Sequence, residues 1–199
     1  MEELLTKEPI VKPYFSTQIK IYLGTLLLLF TANTYANDSQ KKLTPAPEFT
    51  HSKASEWING KLLKLADLKG KVVLLDIWSY GCWNCYRSFP WANDLEKRLE
   101  DEDFVIIGVH ASEFDSERDS NNVVAKAKQF KLHQPIMIDN DFSYWNALGN
   151  QYWPTFYLID KQGKLRAKYL GETHKGDKQA LKIEGGIQYL LNEETLAKK

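Results

Sequence analysis

Cys82 and Cys85 are the only cysteines in a chain of 199 residues, and they stand three apart. An apolar run, Val72 to Trp78, leads into them, and a helical pattern from roughly Trp83 to Glu100 leads away. A Cys-x-x-Cys where a strand turns into a helix has a direct chemical use. The first sulfur lies where unpaired backbone N–H groups and the helix dipole favour negative charge. That lowers the pKa of its thiol, and the thiolate is the nucleophile of disulfide exchange. The second sulfur is one helical turn on, close enough to attack a mixed disulfide and release the substrate. Cys82 is then the nucleophile and Cys85 the resolving thiol.

Two other uses of the pair compete with this one. Half of a zinc site would need two more ligands, but there is no further cysteine, and His51, His110, His133 and His174 show no ligand spacing. A purely structural disulfide closing so short a loop would restrict the unfolded chain little. Redox chemistry is therefore the leading reading, with no metal and no cofactor expected. Asp76 is the most informative polar residue nearby. A carboxylate buried in an apolar strand is costly to ionise, so its pKa rises, and a group tuned towards neutrality can take the proton of Cys85 as that thiol attacks. The competing reading has Asp76 on a solvated face of the strand.

The elements that must position these groups follow from periodicity. Val72 to Trp78 reads as a buried central strand and Phe104 to Val109 as the next one. Trp91, Leu95 and Leu99 form one apolar face of the helix after the cysteines, which Pro90 should kink. Asn121 to Phe130 reads as a helix, Ile136 to Ile138 as a short strand, and Phe142 to Leu148 as a helical turn. Phe156 to Ile159 and Leu165 to Leu170 form a hairpin around Lys161-Gln162-Gly163. A last helix, Lys178 to Leu191, turns Ala180, Ile183, Ile187 and Leu190 inward, although Gly185-Gly186 costs it on the order of 1 kcal/mol per glycine. Further upstream, Asn59-Gly60 signals a hairpin, with Leu62, Leu63 and Leu65 as its second strand. Strands alternating with helices, then a hairpin and a closing helix, give an α/β domain: a mixed sheet with helices on both faces.

The segment Asp76-Ile77-Trp78-Ser79-Tyr80-Gly81-Cys82-Trp83-Asn84-Cys85 resembles the active-site segment of the thioredoxin family. Pro90 matches the proline of the active-site helix, and Trp153-Pro154-Thr155 matches the cis-proline segment. Pro47-Glu48-Phe49, Trp57 to Lys61, Leu65 to Lys71, Gly108-Val109-His110, Asp139-Asn140-Asp141 and Tyr152-Trp153-Pro154 resemble the extracytoplasmic branch of TlpA-like and DipZ-like redoxins, over roughly Pro45 to Leu191. The resemblance implies a thioredoxin fold with an N-terminal β-hairpin extension, and an exported thiol–disulfide oxidoreductase acting as a reductant. It implies that Asp76 is the family's buried acid and that Pro154 is cis. The backbone of Trp153 would then lie beside the sulfurs to pair with an extended substrate strand. Trp153, Trp83 and Tyr80 are the substrate-binding candidates. Trp78 is more plausibly core, Glu113 a solvated loop acid, and His110 a strand-end core residue. The implied partners are oxidised protein substrates and, as electron donor, a membrane thiol carrier of the DsbD or CcdA kind, with the protein itself a monomer. A thiol oxidase or isomerase of the same fold is the alternative. A peroxiredoxin would need a Pro-x-x-x-Thr-x-x-Cys loop that is not there. A thioredoxin-like copper-delivery protein would need wider cysteine spacing, although His174 is available.

Zero formal net charge without a basic stripe gives no sign of nucleic-acid binding. Hydrophobic content of 43% supports a full core. Residues 1–36 read as a signal peptide or membrane anchor: Ile19 to Phe30 is mostly apolar but short for a span, and Thr34-Tyr35-Ala36 offers a cleavage site. Residues 37–47 read as a linker, 48–193 as the redox domain and 194–199 as a polar tail. Export fits the absence of stray thiols, since an oxidising compartment punishes them. A C-terminally tagged chain is expected outside the cytoplasm, and mass spectrometry should find either a start at Asn37 or the retained apolar segment. A soluble cytoplasmic product beginning at Met1 would refute export.

Overall fold

The computed structural model describes residues 43–196. The expected targeting segment and the first part of the linker lie outside the described residues. Among the described residues, ten strands and α-helices follow in order: β1 (Trp57–Ile58), β2 (Val72–Trp78), α1 (Trp83–Arg98), β3 (Phe104–His110), α2 (Ser120–Gln129), β4 (Ile136–Ile138), α3 (Ser143–Ala147), β5 (Thr155–Ile159), β6 (Leu165–Leu170) and α4 (Lys178–Leu196). The strands form one mixed sheet in the order β1-β4-β3-β2-β5-β6. β2 pairs parallel with β3, from Val72 opposite Phe104 to Trp78 opposite His110. On its other side it pairs antiparallel with β5, from Val73 opposite Ile159 to Ile77 opposite Thr155. This is the expected α/β thioredoxin fold.

Strand alternation divides the core into two faces. Val73, Leu75 and Ile77 join Phe49, Trp57, Met137, Tyr144 and Trp145 under the amino-terminal segment and α3. Val72 and Leu74 face the other way, onto Trp91 and Leu95 of α1, Leu99 at its C-cap, and Ala180, Ile183, Ile187 and Leu190 of α4. The apolar faces expected of both helices are thus the buried ones. α1 runs on through Pro90, which is exposed and whose missing N–H leaves the Tyr86 carbonyl without a helical donor. Among the described residues no helix is long and apolar enough to cross a membrane.

The expected hairpin extension is not formed. Asn59 does turn the chain, with a positive φ of 59°, but no strand follows it. Its side-chain amide donates to the Leu132 carbonyl at 2.7 Å, which commits the turn to the loop before β4. β1 accordingly pairs antiparallel with β4. Leu62, Leu63 and Leu65 pack on the core as side chains without joining a ladder, and Leu65–Leu68 coils into a 3-10 turn.

The glycine pair in α4 divides by environment. A Cβ on Gly186 would lie 3.0 Å from Leu158 Cδ2 of β5 and 3.3 Å from the Tyr169 hydroxyl, so this glycine lets helix and sheet approach. Gly185 faces open space. Gly185→Ala is therefore expected to stabilise the protein by about 0.5–1 kcal/mol through helix propensity alone. Gly186→Ala is expected to destabilise it by about 1 kcal/mol, because Leu158 is buried and has little room to yield. Urea unfolding of the two variants checks the opposite signs.

Candidate active site

The cysteines sit where β2 hands over to α1. Cys82 is the N-cap of α1, with extended backbone, and its sulfur accepts the N–H of Cys85 at 3.2 Å. The two sulfurs form a disulfide. The helix thus aims a donor and its positive end at Cys82, the arrangement that stabilises a thiolate there. Cys82 is 7% exposed and Cys85 fully buried, so an incoming reagent meets Cys82 first. Cys82 opens onto a cleft of about 220 Å3. Gly81, Trp83 and Asn84 form one wall, Glu113 and Phe114 from the loop after β3 form another, and Trp153 completes it. Trp83 is 68% exposed and Phe114 57%, an unusual solvent exposure for two large apolar side chains.

The Trp153–Pro154 peptide bond is cis. The Trp153 indole N–H donates to the Ala111 carbonyl at 3.0 Å, and its ring packs on Trp145 with centroids 4.3 Å apart. These contacts fix Trp153 as a wall of the cleft. Tyr80, by contrast, does not line it. Its hydroxyl donates to the Ser116 carbonyl and its ring stacks on His110. Trp78 is a core residue, edge-on to Phe89.

Asp76 lies in β2 opposite Gly108 and Phe156. Alternation puts it on the same face as Leu74 and Trp78, the face covered by α1. It is 1% exposed, and neither carboxylate oxygen has a hydrogen-bond partner. Desolvation pushes its pKa up from 3.8 to about 7. The solvated-face alternative is thereby removed: Asp76 is a buried acid whose proton comes and goes near neutrality.

A second buried carboxylate was not legible in the sequence. Glu113 is exposed at the cleft, but Glu117, four residues on, is buried. Its Oε2 accepts the Ser79 hydroxyl and, at 3.1 Å, the Glu113 N–H. His110 ends β3 beside it, its Nε2 4.0 Å from that oxygen. Burial pulls the His110 pKa down to about 4, so the ring is neutral at pH 7. Glu117 stands among Asp115, Arg118 and Asp119, a run that reads as a solvated loop.

His51, Asp139 and Asp141 bring three ligand-type atoms within 4.8 Å of one another, a grouping that spacing did not reveal. Asp139 is occupied by the fold. It accepts the N–H groups of Tyr144 at 3.1 Å and Trp145 at 2.8 Å, and its Oδ1 lies 2.9 Å from His51 Nε2. The cluster ties the amino-terminal segment to the start of α3.

The sequence pattern of the Redoxin family matches residues 41–183. The chain is 38% identical over 140 residues to Protein DipZ of Mycobacterium tuberculosis, covering 69% of this chain and 19% of that one. It is 34% identical over 160 residues to the thiol-disulfide oxidoreductase ResA of Geobacillus thermodenitrificans, covering 76% and 87%. A thioredoxin-like protein solved in its oxidised form superposes with a TM-score of 0.64 at 29% identity, covering 77% of this chain and 99% of that one. The chain spans only 13% to 19% of the long relatives it matches at 38% identity.

The raised pKa of Asp76 has a stability consequence. Its unfolded value is near 3.8 and its folded value about 7. The folded state therefore binds the proton more tightly, so stability attributable to Asp76 is full below pH 4 and is lost as pH rises through 7. The shift corresponds to on the order of 4 kcal/mol. Asp76→Asn should remove this slope: the variant should gain stability relative to the native protein between pH 5 and pH 8, measured by denaturant unfolding of the oxidised forms.

Proposed function

Because this chain belongs to the Redoxin family, we propose that it is a thiol–disulfide oxidoreductase that reduces disulfides in extracytoplasmic proteins. The observation that carries the reading is the asymmetry of the pair: Cys82 capping α1 at the cleft, Cys85 fully buried behind it. In the reduced enzyme the Cys82 thiolate attacks one sulfur of a substrate disulfide. That bond breaks, a mixed disulfide forms, and the departing substrate thiolate takes a proton. Asp76 as a carboxylate accepts the proton of Cys85, whose sulfur attacks Cys82 Sγ. The second substrate thiolate leaves and is protonated. Two electrons have passed to the substrate, and the enzyme is left as the Cys82–Cys85 disulfide. A membrane thiol carrier of the DsbD or CcdA kind returns it to the dithiol. Substrate lies as an extended strand along the Trp153 backbone at Pro154, its side chains against Trp83 and Phe114.

The direction of electron flow rests on how little the reduced form is stabilised. Trp83 and Asn84 bring no cation between the cysteines. Arg87, the next candidate, is held by Glu172 at 3.0 Å. Cys82 is then only moderately acidic, and the couple weakly oxidising. The apolar segment within residues 1–36 supports export of the domain, as signal peptide or tether.

A redox titration against glutathione should place the couple below about −200 mV; a value near −120 mV would recast the protein as a disulfide donor. Cys85→Ser should accumulate a mixed disulfide through Cys82 when mixed with an oxidised protein. Trapping through no cysteine at all would count against thiol exchange as the chemistry.

A further inference from the structure

The loop that delivers Cys82 rests on a carboxylate that the exchange steps above do not use. Glu117 lies in the 3-10 turn Asp115–Arg118, whose other residues are exposed, yet it is 1% exposed itself. Its Oε2 receives the Ser79 hydroxyl from the β2–α1 loop and the Glu113 N–H from the loop after β3. Ser79 Oγ in turn accepts the Gly81 N–H at 3.1 Å. One carboxylate thus joins the two loops that face each other across the cleft. Its other oxygen, Oε1, is buried with no hydrogen-bond partner. That oxygen is directed at the residue before the nucleophile: a Cβ at Gly81 would lie 2.0 Å from it.

Buried charge is screened poorly, so the company of this carboxylate matters. From β3 it faces His110, which is neutral at pH 7. From the β2–α1 loop it faces Ser79 and Tyr80, the latter turned to the Ser116 carbonyl. From α1 it influences Tyr86, whose hydroxyl pKa is raised by burial first and then by the charges of Glu117 and Tyr80. In its own turn, Arg118 is directed away, to Asp115 at 3.2 Å and the Asn140 carbonyl at 2.9 Å. Glu113 and Asp115 are acids. Among the described residues, no cation is paired with Glu117.

We propose that Glu117 is a positioning residue of the disulfide-exchange site: it locks the Cys82 loop to the Glu113–Phe114 loop, and its negative charge beneath Gly81 disfavours the Cys82 thiolate. The proposal rests on the redox reading above. A less stable thiolate means a less stable dithiol form, and hence a more strongly reducing couple. Asp76 manages the proton of Cys85; Glu117 sets how readily Cys82 gives up its own.

Glu117→Gln tests this, because its amide oxygen can still accept from Ser79 and Glu113 while the charge is gone. The Cys82 pKa, read from the pH dependence of its alkylation rate, should fall by about one unit. Above both thiol pKa values, the equilibrium constant for reduction of the disulfide by glutathione should rise up to tenfold, about 30 mV. Glu117→Asp, which keeps the charge, should stay near the native pKa. Should the Gln variant fail to fold, Glu117→Met removes the charge without needing any partner and carries the same comparison. A folded neutral variant with native pKa and native glutathione equilibrium overturns the proposal, as does an Asp variant whose pKa falls as far as that of the Gln variant. The absolute potential of the native chain tests the reductant reading; only the difference between native and variant tests Glu117.

Discussion

β2 has no solvent-facing side. β3 and β5 pair along its two edges, α1 and α4 cover one face, and α3 with the amino-terminal segment covers the other. All seven of its residues are buried. A polar group placed in such a strand must find a partner or stay neutral. Six residues of β2 are apolar and meet that condition by composition. Asp76 meets it by a pKa raised to about 7, so that it keeps its proton below neutrality, and that shift is the work of the strands and helices that exclude water. The same enclosure that stabilises the sheet therefore tunes the acid.

The end of β2 passes this constraint to the cysteines. Trp78, the last residue of the strand, packs on Phe89 of α1 and on His110 of β3. A side chain on Gly108 would come within 2.8 Å of Ile136 and 3.2 Å of the Trp78 indole nitrogen, so a bare backbone at that point lets Trp78 lie against β3. With Trp78 seated, the three residues Ser79, Tyr80 and Gly81 have a short path to the N-cap of α1. Two of them are held from the far side by the loop after β3, Ser79 at Glu117 and Tyr80 at Ser116, and Gly81 is tied to them by its N–H, which donates to Ser79 Oγ. The position of Cys82 is thus set by packing from within the sheet and by polar contacts from above it.

Most of this was legible in the residue pattern. An unbroken apolar run is a sufficient signal for a doubly covered strand, and four-residue spacing is a sufficient signal for the faces of α1 and α4. The cis state of Pro154 was legible only through family resemblance, since local chemistry favours trans. What failed were inferences about which of several partners a local signal would choose. Asn59-Gly60 is a turn, but its amide found Leu132 rather than a neighbouring strand. Gly186 looked like a defect because its reason, the side chain of Leu158 on β5, is 28 residues earlier in the chain. Tyr80 adjoins Gly81 in sequence yet turns away from the cleft, because the Ser116 carbonyl takes its hydroxyl. Glu117 was invisible for the same reason in reverse: a carboxylate within a charged run is usually solvated, and only the convergence of two loops buries this one.

The sheet edges carry a consequence of their own. At one side β1 has only two residues before Asn59, at φ 59°, bends the chain away. At the other, the start of β6 is covered by residues 44–46: the Leu165 N–H donates to the Thr44 carbonyl, and the Ala46 N–H to the Gly163 carbonyl, both at 2.9 Å. The part of β6 left open carries Arg166 and Lys168, and Arg166 is held by Asp160 at 3.0 Å and Glu193 at 2.8 Å. Short, bent, covered or charged edges are poor templates for another strand. Among the described residues, the edges of the sheet therefore leave little unpaired backbone on which a further strand could be laid.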